Sequence, residues 1–223
     1  MIVDTAPTAD PSLESEAPVQ VAERLTEVFN AAEQEVIILS AYLIPTESLE
    51  NAVREANERG VRIRILTNSL ASNNHLTAHS AYRTHISALL GHGVELSEVR
   101  VDAADRPLYM ILPSDEMQLA LHAKALLVDN DRVFIGSANL DPRSLRLNTE
   151  MGLLVSSEEL NQQLRKAFER DFKDENAWSV EQDPNGRLLW RSGDTVLSVQ
   201  PNSSFMQRIE DWFFSILPIE DEL

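Results

Sequence analysis

The stretch from Leu121 to Glu150 surrounds an apolar run with polar side chains of chemically useful types. It is LHAKALLVDNDRVFIGSANLDPRSLRLNTE. Placing such side chains among apolar residues costs free energy unless they are paired, so their clustering here indicates a site. The polar set consists of His122, Lys124, Asp129, Ser137, Asn139 and Glu150.

The spacing of these residues predicts that several of them meet. Residues two apart in a strand project to the same side, as His122 and Lys124 would in a strand over 119–128. A second strand is predicted over 132–136, joined to the first by a short turn. The turn folds the residues after the second strand back beside His122. An imidazole, an ammonium, a hydroxyl and an amide therefore converge at one edge.

This set of side chains favours chemistry on a phosphate group. Lys124, Ser137 and Asn139, with the backbone amides near Gly136, supply donors for anionic oxygens. The sequence has no Walker loop, no serine or cysteine paired with a base, and no carboxylate cluster suited to Mg²⁺. Histidine is a competent nucleophile toward phosphorus and a competent acid or base near neutral pH. We expect a phosphate site with a histidine in line and with no metal or other cofactor.

The pattern HAKALLVDNDRVFIGSAN resembles the H-x-K-x4-D-x6-G-S-x-N signature of the phospholipase D superfamily. The stretches SAYLIP, VRIRILTNSLASNN, DPRSLRLNTEMGLLV and LPIEDEL extend the resemblance to the second half of bacterial cardiolipin synthases, nearest class C. Nearly all of residues 19–223 is covered. The resemblance implies the superfamily's α/β fold, a mixed sheet flanked by helices on both faces, here as a single half with one signature.

The resemblance also implies roles for the signature residues. His122 is a catalytic histidine of a phosphohistidine mechanism, and Lys124 and Asn139 bind the phosphoryl oxygens. Glu150 falls where the superfamily places the carboxylate that orients the histidine. Asp129 belongs to the same catalytic signature, but the family uses it more as a structural anchor, and a plain turn former is at least an even alternative.

A single signature raises the question of the second histidine. Related enzymes need two signatures per active site, one histidine attacking phosphorus and the other protonating the leaving alkoxide. The nucleophile usually comes from the first half, so the resemblance favours an acid/base role for His122. This chain begins about where the second half would begin. The missing half-site would come from a homodimer mate or from a separate N-terminal chain.

Three functions follow as alternatives. The first is phosphatidyl transfer between phospholipids, with phosphatidylglycerol or a similar lipid as substrate. The second is a single-signature phosphodiesterase or nuclease that works as a homodimer. The third is an inactive half or subunit that binds a partner or lipid. The net charge of -17 favours lipid over nucleic acid, because phosphate-backbone binding needs a basic face.

Hydrophobic periodicity predicts the elements that position the signature. The pattern predicts a first helix over 19–33. It then predicts a β-α-β unit with parallel strands, made of a strand over 35–43, a helix ending before Gly60 and a strand over 61–67. Further elements are predicted as helices over 79–90 and 157–174 and strands over 94–99 and 149–155.

The two ends of the chain differ in composition from the middle. Residues 1–18 are rich in proline, serine and acids, and predict a flexible acidic lead-in. Residues 19–177 form the predicted phospholipase D-like domain. Residues 178–223 predict short strands and an amphipathic helix from about 203 to 216, packed on the domain. The favoured orientation of this helix puts its apolar side on the core, and the alternative is an interfacial helix that reaches toward a bilayer.

Residues outside the signature are weaker candidates for the edge of the pocket. Tyr42 ends the first predicted strand, and Arg143 follows the signature. His79 and Tyr82 lie three apart on one helix face. For each of these residues a purely structural role is about as well supported.

Composition and hydropathy bear on where the protein is located. The chain of 223 residues has 43% hydrophobic content and no cysteine, so disulfides and thiolate metal sites are excluded. No apolar run is long enough to cross a bilayer and no signal peptide is visible. We expect a cytoplasmic protein, or one peripheral to the cytoplasmic membrane.

Overall fold

A single sheet of mixed direction organises the described part of the chain. The computed structural model describes residues 2–5, 21–73, 75–110 and 119–215. The sheet order is β1-β7-β6-β5-β2-β3-β4-β8-β9-β10. The strands are β1 (Ile2–Thr5), β2 (Glu35–Ser40), β3 (Arg62–Asn68), β4 (Glu95–Val99), β5 (Lys124–Val128), β6 (Arg132–Gly136), β7 (Glu150–Ser156), β8 (Ala177–Gln182), β9 (Leu188–Ser192) and β10 (Thr195–Leu197).

Helices cover both faces of this sheet, as the sequence predicts. Val36 and Ile38 of β2 pack with the first three helices, whereas Ile37 and Leu39 point to the face that the fifth helix covers. Burial on both faces explains why β2 is apolar without alternation. The helices are α1 (Val21–Asn30), α2 (Glu47–Glu58), α3 (Leu76–Gly91), α4 (Pro142–Arg146), α5 (Glu158–Asp171) and α6 (Phe205–Phe214).

The predicted β-α-β unit is confirmed. Strands β2 and β3 are parallel, with α2 between them in the chain, and β4 continues the parallel set. Gly60 follows α2 with a φ of 89°, a left-handed conformation that favours glycine after a helix. Strand β5 lies antiparallel to β2 on its other side. The central strands therefore carry the signature hairpin beside the carboxyl end of β2.

The chain ends depart from the predicted division in two places. Residues 2–5, predicted as part of a flexible lead-in, form β1 and pair antiparallel with β7. The edge of β7 offers free backbone donors and acceptors, which a short apolar segment can satisfy. Residues 6–18 lie outside the described residues. Strand β8 pairs with β4, so the strands after residue 177 extend the same sheet.

Helix α6 packs against α3, but not with the side that the sequence favours. Its buried residue is Asp211, whereas Phe205, Trp212 and Phe213 are at least half exposed. The prediction that its apolar side lies on the core is wrong, because a buried ionic cluster holds the helix instead. Among the described helices, α3 is the longest at 16 residues, and none has the length and apolar character needed to span a bilayer.

Candidate active site

The β5–β6 hairpin brings the two ends of the signature to one edge of the sheet. Ala125 pairs with Ile135 and Val128 with Arg132, so Lys124 at the start of β5 lies near Gly136 at the end of β6. Ser40, the last residue of β2, pairs with Lys124 on the other side. The convergence predicted from the spacing follows from this register.

His122 and Lys124 are in direct contact. His122 is exposed and lies two residues before β5, outside the strand that the sequence predicts for it. The Lys124 Nζ atom lies 3.2 Å from His122 Nδ1 and 3.4 Å from Nε2, and donates to the His122 carbonyl at 2.9 Å. Partial burial lowers the pKa of Lys124, although the carboxylates of Glu150 and Asp141 act in the opposite direction. The ammonium is thus held beside the imidazole that it would assist.

Asn68 fixes the backbone immediately before His122. This residue ends β3 and is buried. Its amide nitrogen donates to the Leu121 carbonyl at 2.9 Å, and its amide oxygen accepts from the Leu121 N–H at 2.8 Å. The same nitrogen donates to Ala41 at 3.0 Å. Sequence analysis did not identify Asn68, and the only local sign is a polar residue at the carboxyl end of a buried parallel strand, where sites collect.

Glu150 lies at the same edge but does not contact His122. Its carboxylate accepts a short hydrogen bond from the Ser137 hydroxyl and another from the Asn148 amide at 3.1 Å. Glu150 begins β7, and β6 separates it from β5, so about 10 Å of sheet lies between the two backbones. The prediction of a direct Glu150–His122 hydrogen bond is therefore not met in this structure. Glu150 instead orients Ser137 and acts on Lys124 through its charge.

Asn139 is tied to the start of a short helix that the sequence did not predict. Asp141 caps α4 by accepting from the Ser144 N–H at 2.6 Å. Burial raises the pKa of Asp141, although hydrogen bonds from Ser144 and Asn139 oppose this effect. The Asn139 Oδ1 atom is buried and has no hydrogen-bond partner within the described ranges. Asn139, the last residue of the signature, therefore has an unused hydrogen-bond acceptor.

A cavity of about 290 Å³ opens beside Asn139. Tyr42 and Arg143, both predicted at the edge of the pocket, line this cavity. His75 lines it as well, with its ring 5.6 Å from that of Tyr42, although no motif in the sequence singles out this histidine.

His79 and Tyr82, also predicted at the pocket edge, are in the interior instead. They are 0% and 2% exposed, respectively. His79 Nδ1 lies 2.7 Å from an Asp211 oxygen, and the Tyr82 hydroxyl donates to Glu98 at 3.1 Å. Burial, with the adjacent Glu98 carboxylate, raises the pKa of Tyr82 well above its usual value. Both side chains belong to a buried polar cluster under α3.

Asp129 directly follows β5, at the opposite end of that strand from His122 and Lys124. Five residues of extended chain separate it from Lys124, which is about 17 Å. Its carboxylate accepts from the backbone N–H groups of residues 33, 34 and 35 at 2.8–3.2 Å, and from Arg132 at shorter range. Burial alone would raise the pKa of Asp129, but these donors outweigh it and lower that pKa. The structure places Asp129 as an anchor between the residues before β2 and the β5–β6 turn, and not beside His122 and Lys124.

Comparisons with known proteins agree with this geometry. Residues 25–172 match the family described as "Cardiolipin synthase, PLD-like domain". The chain belongs to this family. Cardiolipin synthase C of Escherichia coli strain K12 is 36% identical over 203 residues, which are 89% of this chain and 43% of that protein. Cardiolipin synthase A of Pseudomonas syringae is 34% identical over 170 residues, 76% of this chain and 32% of that protein.

The fold of this PLD-like domain also matches solved structures. Nuc, a phospholipase D family member from Salmonella typhimurium, superposes with a TM-score of 0.52 at 15% identity. The match covers 76% of this chain and 90% of Nuc. The chain thus spans less than half of the two cardiolipin synthases but nearly the whole of Nuc.

Proposed function

We propose that this PLD-like domain carries one half-site of a phosphatidyltransferase that joins phospholipids through a phosphohistidine. The observation that carries the proposal is the contact of His122 with Lys124 at the edge where Ser137 and Asn139 also lie. Fixed donors beside an accessible imidazole suit a phosphodiester, since positioning and charge neutralisation supply most of phosphoryl-transfer catalysis. Similarity to cardiolipin synthases supports a lipid as the substrate.

The proposed reaction has two displacements at phosphorus. An imidazole nitrogen attacks the phosphatidyl phosphorus, the bond to the departing glycerol oxygen breaks, and a second imidazole gives that oxygen its proton. The hydroxyl of the acceptor lipid then loses its proton to the second imidazole and attacks phosphorus, which releases the first. By resemblance His122 is the acid/base, and Lys124 neutralises the charge on the phosphoryl oxygens.

The attacking imidazole would come from another half-site. Within the described residues, the signature occurs once, at 122–139. Either a homodimer mate, related by a two-fold axis, or a chain corresponding to the other part of the relatives would supply it. The relatives are more than twice as long as the matched region, which favours the second source.

A homodimeric phosphodiesterase is the second candidate function. One observation favours it: the Nuc structure, which has this fold, is matched over 90% of its length by this chain alone. The net charge of -17 argues against nucleic acid as its substrate, so a small or lipid phosphodiester is the better substrate class.

The test combines light scattering with an assay on the same chromatographic fractions. We expect monomeric fractions to be nearly inactive on phosphatidylglycerol, because with His122 as the acid/base a monomer lacks the imidazole that attacks phosphorus. Adding a chain that carries the other half-site, or selecting a dimer, should restore cardiolipin formation. His122→Ala should abolish that activity, whereas His92→Ala, at the far end of α3, should retain it.

Two outcomes would contradict the proposal. A strictly monomeric fraction that forms cardiolipin at full rate and loses it on His122→Ala would refute the need for a second half-site. Activity on a soluble phosphodiester with none on phosphatidylglycerol, in any oligomeric state, would favour the phosphodiesterase.

A further inference from the structure

Helix α6 presents an apolar stripe to solvent. Five side chains spaced along one side of the helix are 43–68% exposed: Phe205, Met206, Ile209, Trp212 and Phe213. The opposite side carries the partly buried Gln207 and Arg208 and the buried Asp211. An amphipathic helix on a water-facing surface normally has the reverse arrangement.

The orientation of α6 is fixed by polar contacts with α3. Asp211 is 2% exposed, and its carboxylate contacts His79 at 2.7 Å and accepts from Ser80 and Arg83 at 3.2 Å each. Burial alone would raise the pKa of Asp211, but these partners lower it. Turning the apolar stripe inward would separate Asp211 from His79, Ser80 and Arg83 and leave its charge unpaired. These contacts therefore keep the stripe facing outward.

The start of α6 is also well defined. Ser204 accepts from the Gln207 N–H at 3.1 Å, and the Gln207 side chain accepts from the Ser204 N–H at 2.8 Å. This reciprocal capping box keeps the first turn helical, and Phe205 and Met206 project from that turn. The stripe is therefore held in place from its first residue.

The attachment of α6 to α3 lies close to the cavity beside Asn139. His75 and Ala78, at the start of α3, line the same cavity as Asn139. His79 and Ser80, which bind α6, belong to the same turn of α3 and the next. One helical turn advances about 5.4 Å, so α6 is attached about one turn from the cavity.

We propose that α6 is a membrane-docking helix that seats its apolar stripe in the interfacial region of a lipid bilayer beside the active site. The inference rests on the proposed function, because a phosphatidyl donor resides in a bilayer and its phosphodiester must reach His122. Aromatic and aliphatic side chains on one face of a surface helix are the composition that lies in the bilayer interface.

Two observations favour lipid over a protein partner. At these exposures the stripe offers about 550 Å², taking a large apolar side chain as about 200 Å², and a stable protein interface needs about 800 Å² from each partner. The stripe also carries three aromatic and two aliphatic side chains and no charge, which is the composition of a helix that lies in the bilayer interface. Glu210, exposed next to the stripe, makes the docking hydrophobic and not electrostatic in character.

Trp212 provides a reporter for the test. Trp178 and Trp190 are 5% and 4% exposed, whereas Trp212 is 55% exposed. Adding phosphatidylcholine vesicles to the full chain should shift tryptophan emission to shorter wavelength through Trp212 alone. Brominated phosphatidylcholine should quench this signal, and binding should depend little on salt.

Variants that keep Trp212 test the stripe. Ile209→Ser with Phe213→Ser should weaken binding about a hundredfold, because each of the two large apolar side chains contributes about a decade in the binding constant. Leu108→Ser is the matched control, since Leu108 is 63% exposed but lies outside α6, and it should bind as the wild type does. His122→Ala should also bind normally, which separates docking from transfer activity.

Three results would overturn the proposal. The first is wild-type chain that fails to bind phosphatidylcholine vesicles, or binds only when phosphatidylglycerol is added. The second is a double variant that binds as tightly as the wild type. The third is a double variant that changes the mass measured by light scattering without lipid, which would make the stripe a protein interface. Wild-type chain that binds vesicles but shows no phosphatidyl transfer in any oligomeric state would count against the proposed function and not against the docking helix.

Discussion

Replacing Asp129 with asparagine tests whether this signature residue acts in catalysis or in folding. The carboxylate is 8% exposed and accepts from the backbone N–H groups of residues 33–35 and from Arg132. These contacts join the loop before β2 to the β5–β6 turn, far from His122. Asparagine keeps one oxygen acceptor and tolerates the left-handed φ of 50° at this position, so the substitution isolates the second oxygen and the charge.

The expected loss of stability in Asp129→Asn follows from the hydrogen bonds that the carboxylate accepts. In the variant one oxygen becomes an amide NH₂ that faces Arg132 and the Glu33 N–H, so two charge-assisted hydrogen bonds are lost. Hydrogen bonds to charged groups contribute about 1.5–3 kcal/mol each, and partial access of water reduces the cost. We expect Asp129→Asn to lower the free energy of unfolding by about 2–4 kcal/mol. Asp129→Ala should lose more, because it also leaves three N–H groups unpaired and adds the cost of the left-handed backbone.

Urea denaturation as a function of pH measures this effect. Because the folded pKa of Asp129 lies below its unfolded value, the stabilisation is fully present above about pH 4 and is lost as pH falls through the folded pKa. The difference between wild type and Asp129→Asn should therefore be constant from pH 7 to about pH 5 and close at lower pH. Asp131→Asn, in the same turn but half exposed, is the control and should change stability by less than about 0.5 kcal/mol.

One combination of results would refute the anchor role of Asp129. If Asp129→Asn unfolds at the wild-type urea concentration at pH 7 but has lost anion binding or activity, Asp129 acts at the reacting groups. The anchor role requires the opposite combination, with stability lost and the anion affinity of the folded fraction retained.

Two further predictions concern the anion site and the sheet. Lys124→Ala should weaken the binding of orthovanadate or tungstate, measured by calorimetry, by about tenfold or more, because it removes a charged donor. Replacing the exposed Lys166 with alanine should leave this affinity unchanged, and equal affinities for the two variants would contradict the role of Lys124 in anion binding. Gly152→Ala should lower the free energy of unfolding in urea by about 3 kcal/mol, because the new Cβ would lie 2.3 Å from the buried Phe134 ring. Gly91→Ala, whose Cβ would have no atom within 4 Å, should be neutral or stabilising. Similar urea midpoints for the two variants would show that the Phe134 ring moves freely.

Much of the site was predictable because its determinants are local. His122 and Lys124 are two residues apart, which keeps them close although β5 begins only at Lys124, and a short turn sets the register that brings Ser137 beside them. The apolar run of β2 predicted a strand buried on both faces, and Gly60 predicted the end of α2. These features depend on neighbours in sequence, so the sequence carries them.

The order of the strands decided what the sequence could not. Glu150 has the spacing of an orienting carboxylate, but β6 lies between it and β5, and Ser137 takes the hydrogen bond. The hydrogen bonds of Asn68 to Leu121 join residues 53 apart, and the polar residue at the end of β3 does not indicate which partner it binds.

The orientation of α6 is the clearest case of a feature that only the tertiary structure decided. The amphipathic pattern of residues 205–214 is plain in the sequence, and burial of its apolar side is the usual outcome. The structure buries the polar side instead, because His79, Ser80 and Arg83 meet Asp211 from 128–132 residues away. A periodic pattern identifies the two sides of a helix, but which side faces inward depends on the charges that the rest of the fold places against it.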